Sequence, residues 1–214
     1  MLSKTTRWSN WILTPDKFLP LETAKKLLET ARIQAETAKA LGRKVSVRDY
    51  FIIDLGLSTG LRVMEMAQLK CGDVFTTENN PSLIVRNGKC SKMRLVKLSD
   101  AFKRHYNDYI KWKKTIHEPI APGDALLRSS NTGGHMTTRA IQKAFKRAAA
   151  RAGLPTHYSI HCLRHTYACQ LYKASGYNLR LVQKQLGHSS IRTTEIYADV
   201  MEPDIQDALR KLYA

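Results

Sequence analysis

Little in this chain points to export, to a membrane or to a resident cofactor. Its four cysteines, Cys71, Cys90, Cys162 and Cys169, lack the close paired spacing of a zinc site and fall in helical or strand-like contexts. They read as reduced, structural thiols. The N-terminus offers only Trp11-Ile12-Leu13 where a signal peptide needs a longer apolar segment. No run reaches membrane length and no stretch forms a long basic amphipathic anchor, so a cytoplasmic protein without a membrane partner is expected. A glycine-rich Walker loop, internal repeats and low-complexity tracts are also missing. Acidic residues are scarce: 18 Asp and Glu face 35 Lys and Arg, a formal net charge of +17. That surplus calls for a polyanionic partner, and nucleic acid is the first candidate.

What is present suits one main domain, since 214 residues with 43% hydrophobic content bury one good-sized core. Residues 1–20 carry aromatic anchors and prolines without periodicity and read as an arm or linker. From 21 to about 41, Leu21, Ala24, Leu27, Leu28, Ala31 and Ala35 recur at helical spacing, and Gly42 stops the run. A second helix is expected from about 47 to 57, and a short third one beside Arg62, where a helix N-terminus favours anions. The runs 82–86 and 93–98 flank Asn87-Gly88, a strong hairpin signal. Helical patterns return at about 100–114, 137–152, 160–175, 178–186 and 190–199. The expected class is mainly α with a small antiparallel β-sheet (α+β).

Several residues in these elements suit one chemistry. His161, Arg164 and His165 fall at i, i+3 and i+4 and share a helix face. Taken singly, they suit satisfied core histidines and a solvated arginine. Arginine beside the two histidines, instead of further soft or carboxylate ligands, speaks against a metal. Tyr197 stands nine positions after His188, and a phenol among phosphate-binding cations reads as a nucleophile aimed at a phosphodiester. Thr59-Gly60-Leu61-Arg62 with Glu65, His161-Cys162-Leu163-Arg164-His165-Thr166, and Leu186-Gly187-His188 followed by Tyr197 together resemble the three boxes of the tyrosine recombinase (phage integrase) family. The resemblance covers about residues 21–200.

That resemblance implies a site-specific DNA recombinase that cleaves and rejoins strands through a 3′-phosphotyrosyl link, whether for integration, excision, inversion or resolution. It implies that Arg62 and Arg164 hold the scissile phosphate, that Tyr197 attacks it, that His161 assists proton transfer at the nucleophile and that His188 contacts the phosphate. His165 and Glu65 brace the site. Lys89, with Lys92 as the alternative, protonates the departing 5′ oxygen. DNA contacts fall to Arg62, Lys89, Lys92, Arg164 and Arg192. Double-stranded recombination sites are the implied partner, with self-association into a tetramer and room for an accessory DNA-bending protein; the nucleoid is then the implied place of action.

Elementary chemistry agrees with these assignments. A phenol of ordinary pKa about 10 is only about one part in a thousand ionised at neutral pH, so attack needs cations or a base. Arginine supplies a fixed planar fork, whereas lysine gives up a proton more readily. Side chains alone supply these roles, so no cofactor and no metal are required. Most members of the family carry a core-binding domain ahead of the catalytic one, and twenty residues cannot form it. The chain therefore resembles short members such as fimbrial inversion enzymes, or a catalytic fragment. Residues 201–214 read as a helical tail in which Ile205, Ala208, Leu209 and Leu212 form an apolar stripe suited to subunit exchange. Two other readings compete. One is relaxation of the type IB topoisomerase kind; the other is a non-catalytic regulator whose helix-turn-helix at 178–199 points Arg192, Thr193 and Thr194 at bases.

Overall fold

The computed structural model describes residues 13–76, 79–86, 93–201, 209, 210 and 212. Eight helices are defined there: α1 (Leu21–Ala40), α2 (Val45–Thr59), α3 (Val63–Gln68), α4 (Asp100–Thr115), α5 (Thr138–Arg151), α6 (His161–Ala174), α7 (Leu179–Leu186) and α8 (Arg192–Val200). Three strands, β1 (Val74–Phe75), β2 (Ser82–Val85) and β3 (Arg94–Lys97), form one antiparallel sheet in the order β1-β2-β3. The architecture is mainly α with a small sheet, as expected.

Helix α2 explains the arrangement. Phe51, Ile52, Ile53 and Leu55 are all buried on successive faces, so the helix has to be enclosed, and α1, α4, α5 and α6 pack around it. Helix α1 meets α2 through a stripe of small residues, Ala24, Ala31, Ala35 and Ala38, with Leu27 among them. Its other face carries Arg32 between Glu29 and Glu36 at 2.6 Å each, exposed pairs worth little to stability. The two acids α2 takes inward are paired. Asp49 accepts from Arg147 of α5 at 2.6 and 3.0 Å, and Asp54 from His105 of α4 at 2.5 Å. Gly42 lies at φ 65 past the end of α1, where the stop is expected.

Two features of the fold escape pattern reading. Strand β1 is only two residues long and joins β2 through Val74↔Leu83 and Phe75↔Ser82. Lys113 of α4 is fully buried and donates to Ala125 O at 2.7 Å and Leu126 O at 3.1 Å, holding the loop after α4 against the core. Residues 13–20, ahead of α1, lie on the domain. Leu19 N donates to Thr166 Oγ1 of α6 at 2.7 Å, and Leu13 is 1% exposed in a second apolar cluster with Cys169, Val182, Leu186 and Tyr197.

Strands β2 and β3 pair in the register Val85↔Arg94 through Ser82↔Lys97, which is the expected hairpin. Its connection, with Asn87, Gly88, Lys89, Cys90 and Lys92, lies outside the described residues. Cys71, Cys162 and Cys169 are free and buried. In the tail, Ile205 and Ala208 lie outside the described residues, while Leu209 and Leu212 are exposed. No helix among the described residues is long and apolar enough to cross a membrane.

Candidate active site

Gly60 ends α2 at φ 62, a conformation that suits glycine, and it has no room for a side chain: a Cβ there would stand 2.4 Å from Tyr167 Cδ1. The chain reverses at this point and Arg62 becomes the N-cap of α3. Glu65, three residues on, accepts from Arg62 N at 2.8 Å and from Arg62 Nη1 at 3.2 Å. A local hydrogen-bonded loop thus fixes Arg62, whose side chain stays 34% exposed while Glu65 is 5% exposed.

Arg164 comes from α6 and is buried. Its Nη1 donates to Gly60 O at 2.5 Å, and its Nη2 donates to Leu186 O at 3.1 Å and faces His188 Nε2 at 2.8 Å. One guanidinium therefore ties the end of α2 to the end of α7. Because Arg164 only donates, Nε2 of His188 must accept, so its proton sits on Nδ1, which donates to Thr194 Oγ1 at 2.9 Å. Burial, then the charges of Arg164, Arg62 and Arg94, push His188 down to about 3, and the ring is neutral at physiological pH.

Tyr197 enters from α8 and is 1% exposed. Its ring lies nearly parallel to that of His188, centroids 6.4 Å apart, and its hydroxyl is 3.2 Å from His165 Nδ1. Cations alone would ease ionisation of this phenol. Desolvation outweighs Arg164 and Arg62, and the Tyr197 pKa is instead pushed up to about 12. Burial, with Arg164 beside it, takes His165 down to about 4. Arg164 itself falls to about 10 through burial and the nearby Arg62 charge, and stays cationic at neutral pH.

Arg62, Glu65, Arg164, His165, His188 and Tyr197 thus converge from four separate stretches of chain. His161 shares the face of α6 but stands exposed at its first turn, on a cleft of about 440 Å³ that it borders with Lys17, His157, Ser159 and His165. Lys89 and Lys92 lie outside the described residues. Arg192 is exposed at the start of α8, but Thr194 is fully buried and spends its hydroxyl on His188. The expectation that Thr194 faces bases therefore fails: α8 turns its Thr194 and Tyr197 face into the domain. Among the described residues no group of three or more His, Cys, Asp or Glu is arranged to hold a metal ion.

The sequence profile of the phage integrase family matches residues 17–203. The chain belongs to the phage integrase family. Among its relatives, the tyrosine recombinase XerD of Rhizobium meliloti (strain 1021) is 34% identical over 198 residues, which cover 92% of this chain and 61% of the relative. The structure of the XerH site-specific recombinase bound to its difH substrate is similar at a TM-score of 0.68 and 25% identity, over 92% of this chain and 53% of that one. The catalytic domain of bacteriophage HP1 integrase shares the fold at a TM-score of 0.59 and 23% identity, over 92% of this chain and 95% of that one. The chain spans about three fifths of the length of the XerD relative.

One residue of this integrase-family site is not anticipated from the motifs. Arg94 of β3 grips Glu65 with both terminal nitrogens, Nη1 to Oε1 at 2.7 Å and Nη2 to Oε2 at 2.8 Å. Burial disfavours the Glu65 carboxylate, but this fork and the Arg62 N–H outweigh it and hold its pKa below the ordinary value. Arg94 also passes under the turn that carries His188: a Cβ on Gly187 (φ 67) would lie 2.3 Å from Arg94 Cδ. In β3 Arg94 and Val96 share a face, and Val96 is buried, so the pairing of the strand turns Arg94 inward. Arg94→Met is expected to cost about 1.5 to 3 kcal/mol of stability in a urea titration, because the buried carboxylate loses its forked partner and keeps only its Arg62 contacts. A loss under 1 kcal/mol would mean that Glu65 does not depend on this fork.

Proposed function

We propose that this chain is the strand-breaking and rejoining unit of a site-specific DNA recombinase that works through a 3′-phosphotyrosyl intermediate. The observation that carries this reading is the convergence of the Tyr197 hydroxyl with Arg62, Arg164 and His188. Residues 21–200 act as the catalytic domain, and residues 201–214 as a tail exchanged between subunits in a tetramer on DNA. The +17 charge suits double-stranded DNA as the partner, with an accessory DNA-bending protein as a further one and the nucleoid as the place of action. The XerH structure is of a recombinase held on its DNA substrate, and a shared fold with related sequence supports the same class of substrate here.

The electrostatics suit the reaction. Arg62, Arg94 and Arg164 against Glu65 leave 3 − 1 = +2 around the site, while His165 and His188 are neutral. A phosphodiester enters with one negative charge and passes through a phosphorane-like state with two, so the field fits the transition state better than the ground state. Tyr197 Oη attacks phosphorus while Arg62 and Arg164 hold the non-bridging oxygens. His188 reaches the phosphate only by giving up its bond to Arg164 Nη2, and the incoming negative charge favours a second proton on its ring. The 5′ oxygen leaves with a proton from Lys89 or, failing that, Lys92. His161 assists proton transfer from the rim of the site.

Incubating the chain with a nicked duplex that carries its site, and then denaturing, should leave protein covalently on the 3′ end. Exchange between two such sites, without relaxation of a plasmid lacking them, separates recombination from topoisomerase-like activity. If no adduct is trapped, the non-catalytic regulator stands. The leaving-group role makes a further prediction. A 5′-bridging sulfur needs little protonation, so it should restore cleavage to Lys89→Ala far more than to Arg62→Ala. Rescue of Lys92→Ala instead would move the acid three residues along the hairpin.

A further inference from the structure

The attacking phenol must lose a proton, and at this buried position water is poorly placed to take it. Among the hydrogen bonds of the described residues, the partner of Tyr197 Oη is His165 Nδ1, at 3.2 Å. That is within the reach a general base needs, at its long end, as is common before substrate closes a site. His161, to which family resemblance gives the proton-transfer role, begins α6 at the exposed rim, one turn before His165. Its ring borders the cleft, and the hydrogen bond to the hydroxyl among the described residues is made by His165. Taking Tyr197 as the nucleophile, as proposed above, we propose that His165 is the catalytic base that removes its proton, with His161 acting further out along the same cleft.

The chemistry balances within the site. For the hydroxyl to donate, Nδ1 must carry the lone pair, so His165 is the Nε2–H tautomer. Oη forms its bond to phosphorus as its proton passes to Nδ1. The phosphorus–O5′ bond breaks, and O5′ leaves with a proton from the hairpin lysine. Against a phenol near 12, an imidazole near 4 is a poor base at rest. The balance reverses during attack, because an oxygen bonding to phosphorus loses its affinity for a proton while the growing phosphorane charge stabilises the imidazolium. The transfer is therefore concerted with attack. In the rejoining step the tyrosine oxygen is the leaving group, and the same imidazolium returns the proton.

Among the described residues, Tyr197 from α8, His188 from the turn before it, Lys17 from the residues ahead of α1, and Arg164 and His161 on its own helix act on His165, and Asp16, His157, Tyr158 and Cys162 line the cleft it borders. The test is single-turnover cleavage by the full chain of a nicked duplex selected from a random library by binding to the Tyr197→Phe variant. His165→Asn keeps a hydrogen-bond acceptor near the hydroxyl but cannot carry the proton. It should cleave about 10²- to 10⁴-fold more slowly at unchanged duplex affinity. Its rate should climb tenfold per pH unit, since only the pre-ionised phenol attacks, while His161→Asn should slow cleavage less and leave its rate level above pH 7. Imidazole added to His165→Ala should restore part of the rate. Should the Asn variant lack a thermal transition, His165→Gln takes its place. A near wild-type rate and profile for a folded His165 variant, with Tyr197→Phe inactive, overturns the inference alone, as does loss and imidazole rescue at His161 instead. Normal adduct formation by Tyr197→Phe overturns the nucleophile assignment and this inference with it.

Discussion

Tyr197→Phe is expected to bind duplex DNA as the parent does and to yield no covalent protein–DNA adduct. The substitution removes one oxygen and leaves the ring between Leu13, Val182 and Leu186 in its apolar cluster. Its hydroxyl makes one hydrogen bond, to a neutral imidazole at 3.2 Å, so the stability cost should be about 1 kcal/mol. Folding and binding therefore survive the change, and adduct yield reports chemistry alone. Denaturing electrophoresis of the trapped complex is the measurement. An adduct at parental yield would remove Tyr197 from the reaction and reopen every role assigned around it.

The second large effect separates two arginines that the motifs treat alike. Arg164→Ala and Arg62→Ala should each slow cleavage by about 10²- to 10³-fold through loss of a charge-stabilising donor in the transition state. Only Arg164→Ala should also unfold more easily. Its guanidinium satisfies the carbonyls of Gly60 and Leu186 inside the domain, and each buried acceptor left unpaired costs about 1 to 3 kcal/mol. Arg62 is a third exposed, and Glu65 keeps its grip on Arg94 without it. Thermal unfolding beside single-turnover cleavage distinguishes the cases. Equal stability losses for both variants, or parental cleavage by either, would contradict this division. Arg32→Ala, on the solvated face of α1, should leave both measurements unchanged.

The long helices were legible because their apolar period is set by burial along a single element, and α1 through Ala24, Leu27, Ala31 and Ala35 is the plainest case. Strand β1 was not, since two residues show no period. At the site, residue types and spacing identified Arg62, Arg164, His188 and Tyr197 but not how deeply each would lie. The charges around Tyr197, taken alone, favour its ionisation. Desolvation is a property of the assembled fold, and it carries that pKa the other way. The same difference separates His161 from His165: helical spacing puts them on one face, and only the depth of α6 in the domain decides which of them meets the hydroxyl. By sequence Arg94 is one residue of a short aliphatic and basic run, and only the pairing of β3 shows it turned toward Glu65.

The segment ahead of α1 bears on how this protein is cut for engineering. A chain shortened to begin at Leu21 would retain all eight helices, the sheet and every ionisable group that touches the Tyr197 ring or hydroxyl. It would nonetheless lose Leu19, whose N–H occupies Thr166 one residue from His165, and Leu13, which closes the apolar floor beneath the nucleophile. Helix boundaries are therefore the wrong guide to a minimal unit; the correct edge lies no later than Leu13, eight residues ahead of α1.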